Sequence, residues 1–252
     1  DTVFNNSGVL SGPYTLDGGT SYNGGTLGDV TVQNGGTFTN NANPVPGPAT
    51  PGAVTGNVIV GVFGDTGDSS SFINNLGSVV GDSGNPGSTD ITVQGGGSFD
   101  NNGGTVYSDI DLYDSAQFLN RNGGLVDNDP ITVNNNTTYT NDNSTTTTDA
   151  LTVKNHGTFL NQNSATVNAD SVTVKGNGSF TNQYSSDVNT DNITIGNAGA
   201  TAGDGSAGTF INQYGSDVSA NNSLTVQGNG VYINQYGSQT GSDDIILKDQ
   251  GS

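Results

Sequence analysis

The side chains able to do chemistry in this chain of 252 residues are carboxylates and little else. Its 23 acidic residues are all Asp, set against one histidine (His156), one arginine (Arg121), three lysines and no cysteine. Nucleophile triads and histidine-based metal centres are thereby excluded. What remains is calcium ligation by hard oxygens, or acid/base work by paired carboxylates on a glycosidic bond. One Asp series is regular: Asp29, Asp90, Asp109, Asp129, Asp149, Asp170 and Asp191, with Asp243 or Asp244 closing it, each placed directly before a short apolar run. Stacked at the strand spacing of about 4.8 Å, neighbours would repel by about 1 kcal/mol in water and by more at lower dielectric. Two arrangements would offset this. Either each carboxylate caps amides of its own turn and faces water, or calcium bridges successive carboxylates. Asp65 and Asp68 in GDTGDSSS extend the calcium reading without forming a complete calcium-loop motif. The glycosidase reading is thinner, because Asp111/Asp114 and Asp127/Asp129 fall where turns and strand edges are expected, and His156 falls in the tight turn KNHG. The chain therefore reads as no enzyme.

The elements that must position these residues are written in a repeat. Nine times an aromatic is followed two places later by Asn: Phe38/Asn40, Phe72/Asn74, Phe99/Asn101, Phe118/Asn120, Tyr139/Asn141, Phe159/Asn161, Phe180/Asn182, Phe210/Asn212 and Tyr232/Asn234. From Phe99 to Phe180 the steps are 19, 21, 20 and 21 residues, which suits one coil of short strands and no free-standing domain. Ahead of most aromatics lies an apolar-polar-apolar triplet: Val30-Thr31-Val32, Ile91-Thr92-Val93, Ile110-Asp111-Leu112, Ile131-Thr132-Val133, Leu151-Thr152-Val153, Val172-Thr173-Val174 and Leu224-Thr225-Val226, with Tyr14-Thr15-Leu16 as a weaker copy. That alternation points the apolar pair inward and the central residue out. Eight residues beyond the aromatic a third apolar position recurs at Val80, Val126, Val167, Val188 and Val218. Three short inward strands per coil predict an all-β fold, a parallel β-helix (β-solenoid) of about ten coils of roughly 20 residues, with a lean to the right-handed form. Residues 1–252 read as one elongated domain, with loop insertions near 43–57, 61–71, 82–89 and 196–208.

Interior Asn is expected to form a ladder, each amide donating to one neighbour and accepting from the other. Composition agrees with a solenoid: 40 Gly, no Cys, Met or Trp and 30% hydrophobic residues leave no large globular core, disulfide scaffold or membrane-spanning helix. A net charge of −19 excludes nucleic acid and anionic lipid as partners.

Two exposed features are candidates for binding. Asn-Gln-Tyr in the last three coils predicts that Tyr184, Tyr214 and Tyr236 stack at one corner, where earlier coils carry Asn102, Asn122, Asn143 and Asn163. The outward position of the aromatic strand carries Leu160, Ile211 and Ile233, which suit lateral contact between copies or scattered surface positions. Repeats such as LTVKNHGTFLNQNSATVNAD, SVTVKGNGSFTNQYSSDVNTD and SLTVQGNGVYINQYGSQTGSD resemble the β-helical passengers of secreted bacterial adhesins, the self-associating autotransporters and the filamentous-haemagglutinin-type exoproteins. The resemblance covers most of the chain from Val30 onward. It implies an extracellular or cell-surface bacterial adhesin or matrix component that meets itself, head-to-tail or laterally, or adjoining parts of a longer adhesin, and that attaches to surface glycan. Two other classes stay open: an ice-binding solenoid using the outward column Thr92, Thr132, Thr152, Thr173, Thr194 and Thr225, and a polysaccharide-active β-helix enzyme. No cofactor is expected beyond calcium.

Overall fold

The computed structural model describes residues 3–41, 52–85, 88–128, 130–198 and 207–248. Among them there is no helix, and the strands pair in parallel with strands one coil away. The fold is a parallel β-helix. It divides into two compact units, Asp1–Asp129 and Pro130–Ser252.

In the first unit the aromatic strands Val3–Asn6, Thr20–Asn23, Thr37–Asn40, Ser71–Asn75, Ser98–Asn102 and Gln117–Arg121 form one ladder. Phe38, Phe72, Phe99 and Phe118 lie in register and are buried, with ring centroids 4.8 to 4.9 Å apart. The second of these strands belongs to a coil that the aromatic-to-Asn spacing skips, because Ser21 stands where its neighbours carry Phe4 and Phe38. Tyr14 supplies the missing ring from the strand before it. Its ring stacks on Phe4 at 4.9 Å and tilts against Phe38 at 6.0 Å, while its hydroxyl donates to Ser21 Oγ at 2.9 Å. The weak triplet copy thus does a different job from the others: it fills the aromatic column.

In the second unit the aromatic strands Thr138–Asp142, Thr158–Gln162, Gly178–Gln183, Gly208–Gln213 and Val231–Asn234 form the corresponding ladder. Here the expectation of three short strands per coil is corrected to two. The third strand of one coil runs into the first of the next as Thr145–Val153, Thr166–Val174, Asp187–Ile195, Asp217–Gln227 and Gln239–Lys248. The cause is local. Small residues, Thr148, Ala169, Thr190 and Ala220, follow each other in register at the bend, so the chain turns there without a left-handed residue.

The other two corners each use consecutive left-handed residues, as in Asn155 (φ 49°) and His156 (φ 65°), or Asn163 (φ 59°) and Ser164 (φ 64°). Asn, Asp, Gly and Ser tolerate that backbone and Glu does not, which explains acidic residues that are all Asp. A second rule went unread in the sequence. Two places before the aromatic, an added Cβ at Gly157, Gly178, Gly208 or Gly230 would overlap the carbonyl oxygen of Val133, Val153, Val174 or Ile195 in the coil before. Gly36, Ser70, Gly97, Ala116 and Thr137 hold the same place, so the signal was a column of small residues.

Candidate functional site

The interior Asn side chains form polarised ladders. In the first unit Asn6, Asn23, Asn40, Asn74 and Asn101 each donate through Nδ2 to Oδ1 of the next, at 2.8 to 2.9 Å, ending on Asn120. In the second unit the same chain runs Asn141, Asn161, Asn182, Asn212 and Asn234, at 2.8 to 3.0 Å. Each amide also reaches turn carbonyls, as Asn182 Nδ2 does to Ser186 and Asp217, both at 3.0 Å. These groups are committed to structure, because a buried amide left without partners is costly.

Around the second unit's aromatic strand, three outward columns define a surface. Thr140, Leu160, Thr181, Ile211 and Ile233 lie in register and half-buried. Beside them Gln162, Gln183, Gln213 and Gln235 form a second amide ladder at 2.9 to 3.2 Å. Next comes the tyrosine row. Tyr184 and Tyr214 stack with centroids 5.2 Å apart and planes 9° apart, and Tyr214 and Tyr236 at 4.9 Å and 5°. All three occupy left-handed backbone (φ 58°, 57° and 55°) and remain 49%, 43% and 64% exposed. Asn122, Asn143 and Asn163 hold the same corner earlier, but Asn102 does not: it pairs with Arg121, and Gly103 (φ 77°) takes the corner.

The carboxylates are dispersed. Asp90 and Asp109 are in register, and Asp149, Asp170 and Asp191 sit at the bends of the long second-unit strands. Asp129 lies outside the described residues. Where the series does cap, it caps the next coil and not its own turn: Asp29 Oδ1 accepts from Asn57 N at 2.8 Å, and Asn57 Oδ1 from Asp90 N at 2.9 Å. Asp191 Oδ1 accepts from Asn221 Nδ2 at 3.1 Å. Asp65, exposed, caps Gly67 N at 3.1 Å within its own loop.

Asp68 is different. It is buried, and its oxygens accept from Gly35 N (3.0 Å), Asn34 N (3.3 Å), Ser70 N (2.9 Å) and Ser70 Oγ (2.7 Å). Burial pushes its pKa up, but the Ser70 hydroxyl and the three amides outweigh this and leave the carboxyl below its ordinary value. N–H groups aimed at both oxygens make Asp68 the clamp of the 61–71 insertion, and they occupy the positions a cation would need. Among the described residues no group of three or more His, Cys, Asp or Glu is placed to hold a metal ion.

The remaining charged groups are engaged locally. Arg121 forks onto Asp100 at 2.9 and 2.6 Å, and the exposed His156 ring meets the Asn177 amide at 3.3 Å. Ile245 and Leu247 continue the inward positions of Leu224 and Val226 yet are 64% and 63% exposed, forming an apolar cleft with Tyr232 and Thr240. No family model, curated protein or solved structure matches the chain.

Proposed function

We propose that this chain is the shaft of an extracellular bacterial adhesin or matrix component that works by self-association and surface attachment, without catalysis. The observation that carries this reading is the in-register outward column Thr140, Leu160, Thr181, Ile211 and Ile233. Aliphatic side chains aligned on a regular ladder give a second copy a flat, repeating surface to match. The exposed Ile245 and Leu247 offer a further, head-to-tail contact. Non-catalytic work is supported by the carboxylates, which are spent on backbone caps and an ion pair and converge on no common substrate space. The threonines Thr132, Thr152, Thr173, Thr194 and Thr225 also stand in register. Their flanking column is Ala150, Ser171, Asn192 and Ser223, so ice binding stays secondary.

With a net charge of −19, copies repel at long range, and association by this face is expected to strengthen as salt screens that repulsion. Light scattering of the purified chain across salt concentrations tests this, together with Ile211→Thr/Ile233→Thr, which installs the residue type the column already carries. Salt-promoted oligomers that the double variant abolishes support the reading. A strictly monomeric chain at high concentration and high salt, or oligomers indifferent to the variant, overturns it.

A further inference from the structure

We infer that the tyrosine row is a site of oxidative cross-linking, at which Tyr214 couples covalently to Tyr184 or Tyr236 within one chain. Three observations converge. The chain contains no Cys, Met or Trp, so the usual sinks for oxidants are missing and its phenols carry that chemistry, beside one histidine. The three rings are exposed and stacked at 4.9 and 5.2 Å, so phenoxyl radicals on adjacent coils are neighbours. Lastly, the backbone favours Asn, Asp or Gly at this corner and the row keeps Tyr there three times running, at φ values of 55° to 58°. A bulky residue held repeatedly in left-handed backbone is costly and marks a position retained for its side chain.

The chemistry balances with a peroxide as oxidant. Hydrogen peroxide, acting through a haem peroxidase, takes one electron and one proton from each of two phenols and is reduced to two waters. The phenoxyl radicals join through ring carbons ortho to oxygen, and the ortho hydrogens move to the oxygens as the rings regain aromaticity. The product is a dityrosine two hydrogens lighter than the starting pair. It would staple successive coils of the second unit covalently, in a chain with no cysteine to do so.

The experiment treats the dilute full chain with hydrogen peroxide and horseradish peroxidase and reads dityrosine fluorescence and intact mass. Cleavage before Asp follows, because Asp170, Asp187, Asp204, Asp217 and Asp243 place the three tyrosines in separate peptides. The expected result is a monomer two hydrogens lighter, with linked peptides joining Tyr214 to Tyr184 or Tyr236. Tyr214→Asn, which supplies the residue found at this corner in Asn163, separates the outer rings by two strand spacings, about 10 Å. Tyr214→Phe keeps the stack but cannot form the radical. Both variants should lose the monomeric product, and Tyr107→Phe should keep it. The proposal is overturned if the product survives either Tyr214 variant, if linked peptides centre on the unstacked Tyr22, Tyr107 or Tyr113, or if coupling occurs only between chains.

Discussion

In the second unit the corner between third and first strands is absorbed into strands of nine to eleven residues, while in the first unit the same stretch is cut into pieces of two to four. The difference teaches how one repeat can be held in two ways. The second unit relies on like-on-like stacking: rings 4.5 to 4.8 Å apart from Tyr139 to Phe210, an Asn ladder inside and a Gln ladder outside. The first unit departs from its own repeat and closes each gap with a particular substitute, Tyr14 for a missing ring and Asp68 for an insertion. Repetition spreads stability over identical neighbours, and substitution concentrates it in single residues.

The sharpest test of that contrast is to delete one core ring from each unit. Phe180 is stacked on both sides, at 4.8 and 4.5 Å, and Phe180→Ala is expected to cost about 3–5 kcal/mol in urea unfolding. Phe38 has Phe72 at 4.9 Å on one side but only the tilted Tyr14, 6.0 Å away, on the other. Its neighbour has room to swing, so Phe38→Ala should fall at the low end of that range. An equal or greater loss at Phe38 would break the comparison. Asp68→Asn comes next. It removes charge-assisted acceptance from three amides and a hydroxyl, and should cost about 2 kcal/mol, with faster hydrogen exchange confined to 34–36 and 65–71. Unchanged exchange there would show that the insertion holds without its clamp.

These two cases also mark how far the sequence could be read. The period, the inward triplets, the aromatic column and the Asn ladder were legible because each repeats in every regular coil, and repetition averages out local noise. Ser21 was not, because its coil lacks the aromatic that defines the count, and its substitute arrives from another strand. The bends at Thr148 and Thr190 were hidden for a related reason: no Gly, Asn or Pro announces them. Asp68 was legible as a carboxylate in an insertion, but its donors, Asn34 and Gly35, are 33 and 34 residues away. The stacked Tyr184, Tyr214 and Tyr236 followed from their common offset, whereas their left-handed backbone became evident only with the coordinates.

A smaller effect probes how the second unit accommodates a hydroxyl in its aromatic column. Burial pushes the Tyr139 phenol up, and its hydroxyl lies 3.0 Å from Thr146 Oγ1, where the neighbouring coil carries Val167. Tyr232 repeats the arrangement with Thr240, at 2.5 Å, opposite Val218. Thr146→Val should cost about 1–2 kcal/mol, and Tyr139→Phe/Thr146→Val should recover most of it, because replacing both partners by apolar groups is nearly neutral. Additive losses in that cycle would mean that Tyr and Thr do not act as a pair.

The smallest effect separates the units by the sign of their response to acid. Asp187 and Asp217 lie in register, and burial together with the Asp217 charge raises the Asp187 pKa above its ordinary 3.8. A carboxyl raised in the folded state binds its proton more readily there than in the unfolded chain. Its contribution is therefore fully present below the unfolded value and is lost as pH rises through the folded one. Asp68 runs the other way: its pKa is lowered, so its contribution is present above the unfolded value and is lost as pH falls through the folded one. On acidification from neutral, exchange protection, corrected for intrinsic rate, should first rise around 187–190 and 217–220. At lower pH it should fall around 34–36 and 65–71. Relief of the general charge of −19 would also favour folding in acid, and Asp187→Asn distinguishes the two causes by removing the local rise while leaving the rest of the charge in place. If protection at 187–190 rises equally in Asp187→Asn, the register pair is not its source, and the acid response of the second unit belongs to the whole charged surface.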